Sequence, residues 1–373
     1  MSGHGEPGAP GDQSSLYDHA LRLHRLGPDA PLSRDGMPYP DEDRHRRGRP
    51  RNPANDQRGR GKAAAAILDA HFARPSARPA DLVWAFHEVD VPIHRNEHIS
   101  AAALRTDPVL VRRTGRWLIR HSPDRCSVLI GLALLATEPA EEDIPLVRTI
   151  GLLSDTFGAL AADALERRRD GTAALLWLAE RVGGWGRVYV VEALCRRGGG
   201  EARSWLLRRA CDGDFLNGYF AGRVATAAHL HEAITGDAPD DELIDHTGRL
   251  LAIMAGCGGM GMTWDGYPPV RHVLAAHAGN LAGQRPSWGR YSQAAHIADH
   301  LAGSDPGRFG LAPGQRDGLL ARYLDVLRRA EWSAAARAAV DSGAPYFAWF
   351  ASTIAARLGL PAFADSAGQD DGG

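Results

Sequence analysis

Apolar positions between residues 117 and 225 recur with a period near 30 residues. Segments of small side chains that end in leucine, or in alanine in the last copy, occupy residues 131–134, 162–165, 191–194 and 222–225, at intervals of 31, 29 and 31. A tryptophan followed by leucine occurs at Trp117, Trp177 and Trp205, and residues 146–147 occupy the place of the missing copy. A period of roughly 20–50 residues with two helical segments per copy is typical of an α-solenoid, whose copies must stack to bury their apolar faces. The pattern therefore predicts an all-α fold, with a solenoid of helical hairpins over residues 62–235.

Start signals of individual helices support this division. Asp107 stands directly before a proline, which is favourable in the first turn of a helix, and is predicted to be an N-cap. Asp124 is predicted to cap the next helix, and Asp143, two residues before a proline, is predicted to be a similar cap. Residues 79–89 begin with a proline and carry apolar side chains at helical spacing, which predicts a further helix.

The repeat marker fades after residue 236, but helical patterns continue. Helices are predicted at residues 240–255, 270–281, 287–301, 313–330 and 345–358. No alternating apolar pattern is long enough to predict a strand. We assign residues 236–360 to a C-terminal helical continuation, and the small and acidic residues 361–373 to a disordered tail.

Residues 1–61 contain many Gly and Pro and few large apolar side chains, which predicts a flexible segment interrupted by a short amphipathic helix at residues 16–26. Residues 44–62 hold eight basic residues and one acidic residue, so nucleic-acid binding through this run is one hypothesis. From residue 63 onward, however, the chain carries 32 basic and 36 acidic residues. Because a nucleic-acid-binding solenoid usually carries positive charge on its folded body, a solvated tail is the simpler interpretation of the basic run.

Composition excludes few functions. The net charge of −2 indicates no particular partner. The cysteines form no C-x-x-C pair and are predicted to be buried free thiols: Cys126, Cys195, Cys211 and Cys257. Residues 1–11 do not resemble a signal peptide, and the longest apolar run, residues 128–136, is too short to span a bilayer. We therefore expect a cytoplasmic protein with no membrane partner.

Two local motifs match known sites only in part. His94, Glu97 and His98 fit the H-x-x-E-H pattern of a group of zinc peptidases. No third ligand is marked, and Pro92 places His94 at a helix start, so surface or capping histidines are predicted and no metal site is assigned. Residues 256–261 resemble a Gly-rich phosphate loop, but the segment before them predicts a helix end rather than a strand. The loop is instead a candidate pocket rim, since it holds or precedes four large side chains: Met260, Met262, Trp264 and Tyr267.

Two polar–aromatic clusters, residues 183–189 and 216–220, start helices of neighbouring repeats. Equivalent positions of stacked repeats line one surface, and Trp, Tyr and Arg carry much of the binding energy at interfaces. We predict that a concave binding patch contains Trp185, Arg187, Glu192, Asn217 and Tyr219. The alternative is structural: the rings fill gaps between repeats, while Arg187 and Glu192 tie adjacent helices.

The segments 184–187, 191–194, 205–207 and 217–220 resemble the pattern G-W-G-R…V-E-x-L…W-L-L…Y-x-A of bacterial HEAT-like helical-repeat proteins. This resemblance spans roughly residues 110–235 and implies HEAT-like hairpins and a bacterial source. Some members carry a limonene hydroxylase label, but hydroxylation needs a flavin, haem or iron site, and the sequence supplies no such set. HEAT-like DNA glycosylases are a second similar group; Trp185 and Arg187 are present here, but no aspartate matches their catalytic position.

No nucleophile, P-loop, kinase signature or haem motif occurs, and no carboxylate pair stands out as a general acid and base. The sequence thus offers no catalytic residue and no cofactor. The leading hypothesis is a non-catalytic helical-repeat protein that binds a protein or peptide partner through its concave face. Two alternatives stay open: an enzyme or small-ligand-binding protein with a pocket between the repeats and residues 256–267, and nucleic-acid binding through the basic N-terminal segment.

Overall fold

The structure is a computed structural model that describes residues 14–48, 59–340 and 345–363. These residues form an all-α fold of helices joined by short turns, with no β-strand among them. The middle of the predicted basic run, residues 49–58, and most of the predicted tail lie outside the described residues. None of the described helices combines the length and the apolar character needed to cross a membrane.

The chain divides into two compact units, Met1–Arg197 and Gly198–Gly373, called here the N-terminal unit and the C-terminal unit. The α-helices of the N-terminal unit are α1 (Leu16–Leu26), α2 (Glu42–Gly48), α3 (Lys62–Phe72), α4 (Glu97–Leu104), α5 (Pro108–His121), α6 (Arg125–Thr137), α7 (Ile144–Ile150), α8 (Ser154–Glu166), α9 (Gly171–Ala179) and α10 (Gly184–Arg197). Those of the C-terminal unit are α11 (Gly200–Arg209), α12 (Ala221–Ala227), α13 (Leu230–Ile234), α14 (Asp241–Gly256), α15 (Val270–Leu281), α16 (Trp288–Gly303), α17 (Pro313–Leu327), α18 (Ala330–Val340), α19 (Pro345–Phe350) and α20 (Ala356–Leu358). The assignment of residues 62–235 to helical repeats and of residues 236–360 to a C-terminal helical continuation stays a prediction.

Helices of the N-terminal unit alternate between two rows. Helices α6, α8 and α10 pack side by side in sequence, as do α5, α7 and α9, and each helix also packs on its partner in the other row. The Trp-Leu marker falls on α5 and α9, whereas the small-residue segments fall on α6, α8 and α10. Small residues allow close packing: a Cβ added to Gly131 would lie 2.9 Å from Ile119 Cγ1 and 3.0 Å from the carbonyl oxygen of Gly115. The two markers of the sequence repeat therefore label the two helices of each pair.

Two of the predicted helix starts are capped as expected, and one is not. Asp107 accepts a hydrogen bond from the backbone N–H of Leu110, and Asp124 accepts one from Ser127. The prediction of Asp143 as an N-cap is wrong. Its φ of −87° and ψ of −10° are helical rather than extended, so its side chain makes no cap hydrogen bond. The Asp143 carboxylate is instead buried against the Arg116 guanidinium.

The helix predicted for residues 79–89 does not form. Pro79–Leu82 is a short 3₁₀ segment, and the turns that follow contain Trp84 in the left-handed region at φ 70°. A left-handed non-glycine residue interrupts a right-handed helix. Leu82 and Phe86 are nevertheless fully buried in the core with Leu68 and other residues, so the apolar spacing is satisfied by successive turns.

Two arginines donate to backbone carbonyl groups at helix ends and in the turns between helices. Arg168 is 1% exposed; its Nε donates to Ala140 O at 2.9 Å and its Nη2 to Leu135 O at 3.2 Å, and Nη1 donates to Ala164 O. Arg197, 29 residues later, donates from Nη1 to Arg168 O at 2.7 Å and from Nη2 to Arg169 O at 2.8 Å. The separation of 29 residues is close to the period of the sequence pattern, and both arginines hold turns between helices.

The described part of the N-terminal segment packs on this unit, which the sequence pattern does not predict. Helix α1 lies against α5 and α7, with the side chain of Leu16 fully buried. The Asp35 carboxylate accepts hydrogen bonds from the N–H groups of Ser154 and Asp155 at 2.6 and 2.9 Å, and so caps the start of α8. Asp41 accepts hydrogen bonds from Arg125 Nε and Nη2 at 2.8–3.0 Å. Residues 16–41 are thus held at three points along the chain.

The C-terminal unit uses the same alternation. Helices α12, α14, α16 and α18 contact one another in sequence, as do α13, α15 and α17. Trp264 and Tyr267 are fully buried, and the Trp264 indole donates to Leu251 O at 2.9 Å. His277 Nδ1 lies 2.9 Å from the Tyr323 hydroxyl in the core, and burial lowers the pKa of His277 to about 4.

Candidate functional site

The H-x-x-E-H segment is split by a helix boundary. Helix α4 begins at Glu97, and Asn96 caps it by accepting the N–H groups of His98 and Ile99. His94 precedes the helix, is exposed, and packs edge-on against Tyr189 with ring centroids 5.4 Å apart. Within residues 14–48, 59–340 and 345–363, no group of three or more His, Cys, Asp or Glu side chains is placed to hold a metal ion.

Three of the predicted patch residues lie on α10, which begins at the glycine pair 183–184. Gly184 has a φ of +54°, a left-handed conformation that favours glycine. Trp185 is 39% exposed and stacks on Tyr189, one helical turn later, with centroids 6.1 Å apart. Arg187 donates from Nη1 to Ala179 O at 2.7 Å, and Glu192 lies 3.9 Å from Arg196. Trp185 and Glu192 therefore reach the surface, whereas Arg187 ties α10 to α9.

Carboxylates flank this aromatic pair. Asp155, at the start of α8, lies close to the glycine turn: a Cβ on Gly184 would be 3.9 Å from Asp155 Oδ1. Burial raises the pKa of the Tyr189 hydroxyl, and the nearby charges of Asp155 and Glu192 raise it further. Loss of hydration raises the pKa of Asp155 as well. We call Asp155, Trp185, Tyr189 and Glu192 the aromatic–acidic surface.

A small cleft lies on the same row of helices. It has a volume of about 150 Å³, and its lining comes from α4, α6, α8 and the segment just before α4. Arg95, which lines it, directly follows His94 of the aromatic contact with Tyr189. Asp163 and Arg167 form an ion pair at 3.4 Å on its α8 side. The cleft and the aromatic–acidic surface are thus linked through residues 94–95.

The other two predicted patch residues lie in the C-terminal unit, within the 3₁₀ segment Phe215–Tyr219. Asn217 is 2% exposed and holds its own loop: its Oδ1 accepts the Asp212 N–H at 2.9 Å, and its Nδ2 donates to the Asp212 carboxylate at 2.9 Å. The side chain of Tyr219 is partly exposed. That these two residues share a surface with the predicted residues of α10 stays a prediction.

The C-terminal unit contains a larger pocket, of about 440 Å³. Apolar side chains dominate its walls, and Phe215 is 74% exposed beside it. The lining comes from the 212–218 loop, α14, the Gly-rich loop and α16: Gly213, Asp214, Phe215, Gly218, Arg249, Ala252, Ile253, Gly256, Cys257, Met260, Gln293 and His296. A volume in this range is typical of small-molecule sites. We call it the Arg249 pocket.

The Gly-rich segment forms one wall of this pocket. Helix α14 ends at Gly256, as the glycines predict, and Gly259 has a φ of +85°. Met260 packs on the 3₁₀ segment so closely that a Cβ on Gly218 would lie 2.8 Å from Met260 Cε. Of the side chains expected at a pocket rim, Met260 lines the pocket, but Trp264 is buried and serves the core. That part of the rim prediction is wrong, because the Trp264 indole finds its hydrogen-bond acceptor inside the unit.

The polar groups of the pocket come from α14 and α16. Arg249 Nη1 donates to Cys211 O at 2.7 Å. Within the part of the chain that the structure describes, no carboxylate lies within ion-pair distance of the Arg249 guanidinium. His296 Nε2 lies 2.9 Å from the Tyr346 hydroxyl, and burial lowers the pKa of His296. Arg249 is therefore a cation on an otherwise largely apolar wall.

The sequence pattern did not single out Asp155, Arg249 or His296. Each lies in a helix without a distinctive motif, and its neighbours in the structure come from segments distant in sequence. Comparisons of the chain with protein-family models, with curated proteins and with solved structures give no match.

Proposed function

We propose that this protein is a non-catalytic helical-repeat protein, built of HEAT-like hairpins, that binds a protein or peptide partner. The N-terminal unit recognises a lysine or arginine side chain of that partner at the aromatic–acidic surface. The observation that carries the proposal is the stacked Trp185–Tyr189 pair with the carboxylates of Asp155 and Glu192 beside it.

The chemistry of this surface suits a cation. The face of an aromatic ring attracts an ammonium or guanidinium group, with a free energy of about 0.5–1 kcal/mol at exposed sites. Asp155 has no ion-pair partner among the described residues, and its raised pKa indicates a carboxylate that is poorly compensated in this structure. An incoming cation supplies the missing countercharge.

The neighbouring cleft favours a peptide over a single small cation. Arg95, exposed at the cleft, follows His94, which contacts Tyr189. An extended chain anchored at the aromatic–acidic surface can therefore continue along α8 toward the cleft, where Arg95 offers a positive charge to an acidic or carbonyl group. Helical-repeat proteins commonly use such continuous surfaces for binding.

A nuclear magnetic resonance titration tests the proposal. The Trp185 indole N–H signal is identified as the one lost in Trp185→Phe. We expect acetyl-Ala-Ala-Lys-Ala-Ala-amide to shift this signal in a saturable way, and the same peptide with Gln in place of Lys to leave it almost unchanged. Asp155→Asn should weaken binding of the lysine peptide about threefold to tenfold, since the substitution removes the charge pairing and leaves only the cation–π contact.

The matched control is Glu88→Gln, which neutralises an exposed carboxylate of the same unit that makes no contact with the surface. Its affinity should equal that of the unaltered protein. Equal shifts by the Lys and Gln peptides, or unchanged affinity of Asp155→Asn, contradict cation recognition.

A further inference from the structure

The Arg249 pocket combines largely apolar walls with an arginine that has no paired carboxylate among the described residues, and this combination restricts what it can hold. Its walls include Ile253, Ala252 and Met260, and Phe215 extends them at the rim. An apolar body buried there gains free energy in proportion to the area removed from water. The volume of about 440 Å³ is enough for a ring with a short side chain.

The guanidinium sets the charge of the ligand. Arg249 is partly buried, and its Nη1 is fixed by the carbonyl of Cys211. Arg249 lines the pocket, and the described residues provide no carboxylate paired with it. An arginine in such a place binds carboxylates through two parallel hydrogen bonds more readily than it binds neutral groups.

The other polar groups do not cancel this preference. The carboxylate of Asp214, at the rim, accepts the Leu216 N–H at 2.8 Å and so caps the 3₁₀ segment. His296 is held by the Tyr346 hydroxyl and stacks on Trp349 with centroids 6.0 Å apart. Gln293 adds an amide that can donate to or accept from a bound oxygen.

The 212–218 loop keeps the pocket open. Asn217 fixes its own loop through the pair of hydrogen bonds with Asp212, so that Asp214, Phe215 and Gly218 stand along one edge. The close contact between Gly218 and Met260 joins this edge to the Gly-rich loop. The pocket walls are therefore preformed from three separate segments of the C-terminal unit.

We infer that the Arg249 pocket binds a small organic carboxylic acid with an aromatic or branched apolar body, its carboxylate on Arg249 and its body against Ile253, Met260 and Phe215. This site is separate in residues and in charge preference from the peptide surface of the proposed function. Its test is therefore independent of whether a peptide binds.

Calorimetric titration of the full chain with 3-phenylpropionate tests the inference, with 3-phenylpropionamide as the neutral probe of equal shape. We expect the acid to bind at least about tenfold more tightly than the amide, because only the acid pairs with the guanidinium. Arg249→Gln should remove this preference, so that acid and amide bind alike. Arg249→Lys keeps the charge but loses the two-point geometry, and should retain part of the preference.

Arg271→Gln is the matched control, since it neutralises an exposed arginine of the same unit, on α15, that does not line the pocket. Melting curves of all variants show whether the unit stays folded. If Arg249→Gln unfolds, the inference is tested by comparing the affinities for acid and amide of the unaltered protein and of Arg249→Lys. Equal binding of acid and amide to the unaltered protein overturns the inference. So does the absence of acid binding, or an acid affinity that Arg249→Gln leaves unchanged.

Discussion

The two units share one packing scheme but present different chemistry. In each, alternate helices form two rows that contact one another in sequence. The N-terminal unit has its distinctive groups at the surface, where Asp155 and Glu192 flank an aromatic pair. The C-terminal unit has an arginine and a histidine in a pocket with largely apolar walls. The two units thus share a packing scheme, and the charge that each presents depends on a few side chains.

The units also differ in how their interiors are held together. Arginines bind carbonyl groups in both units, but Arg168 of the N-terminal unit is buried, whereas the arginines that do so in the C-terminal unit, such as Arg329, are partly exposed. The core of the C-terminal unit also holds the His277–Tyr323 contact. This contrast predicts different responses to mutation and to pH.

The largest effect is expected from Arg168→Met in the N-terminal unit. The substitution removes three hydrogen bonds from a buried guanidinium to carbonyl groups. Hydrogen bonds of a charged group contribute about 1.5–3 kcal/mol each, so the loss should cost roughly 3–5 kcal/mol of the free energy of unfolding. Arg169→Met removes an exposed neighbouring arginine side chain and should cost less than about 0.5 kcal/mol. Urea denaturation measures the change in the free energy of unfolding for both variants. Equal changes contradict a stabilising role of the Arg168 hydrogen bonds.

Acid should destabilise the C-terminal unit through His277. Its pKa is lowered to about 4 in the folded state, so the unfolded chain takes up a proton first as the pH falls below about 6.5. The contribution of neutral His277 to the free energy of unfolding is therefore fully present above pH 6.5 and decreases toward pH 4, by up to about 3 kcal/mol. His277→Gln retains an acceptor for Tyr323 but does not titrate. Its stability should change less between pH 7 and pH 4.5, and an unchanged slope in this variant argues against the assignment.

Asn217→Ala should loosen one edge of the Arg249 pocket. It removes the acceptor of the part-buried Asp212 N–H, at a cost of roughly 0.5–1.5 kcal/mol in the free energy of unfolding. The affinity for 3-phenylpropionate should fall with it, while binding of the lysine peptide stays unchanged. Thermal melting and calorimetry together measure both quantities. Loss of peptide binding in this variant is the outcome that contradicts independent sites.

Asp155→Asn should have the smallest effect on stability. Because the folded-state pKa of Asp155 is raised, the ionised carboxylate disfavours folding, so its neutralisation should leave the melting temperature unchanged or slightly higher. Binding of the lysine peptide should weaken as the pH falls through this raised pKa, and the variant should lose that dependence. A variant that melts earlier indicates a structural role for the carboxylate.

The sequence supported the helical fold because the signals were local. The N-caps Asp107 and Asp124, the glycine stop at Gly256 and the two repeat markers each reflect the backbone near them. The wrong predictions concern residues whose contacts come from segments distant in sequence. Asp143 has cap-like neighbours but is drawn to Arg116, which lies on another helix.

The candidate sites were less accessible from the sequence. Trp185 and Glu192 stood out because a rare aromatic follows a glycine turn. Asp155 and Arg249 carry no local signal, since their importance lies in lacking an opposite charge once the helices pack. The docking of Asp35 on α8 was equally hidden, because 119 residues separate it from Ser154.

The central claim is that the two units recognise groups of opposite charge at separate places. One nuclear magnetic resonance experiment on the full chain tests it, by following the indole signals of Trp185 and of Trp349, which is 47% exposed and stacks on the pocket residue His296. The lysine peptide is predicted to shift only the Trp185 signal, and 3-phenylpropionate only the Trp349 signal. The account is contradicted if one ligand shifts both signals. It is also contradicted if the two ligands shift neither signal.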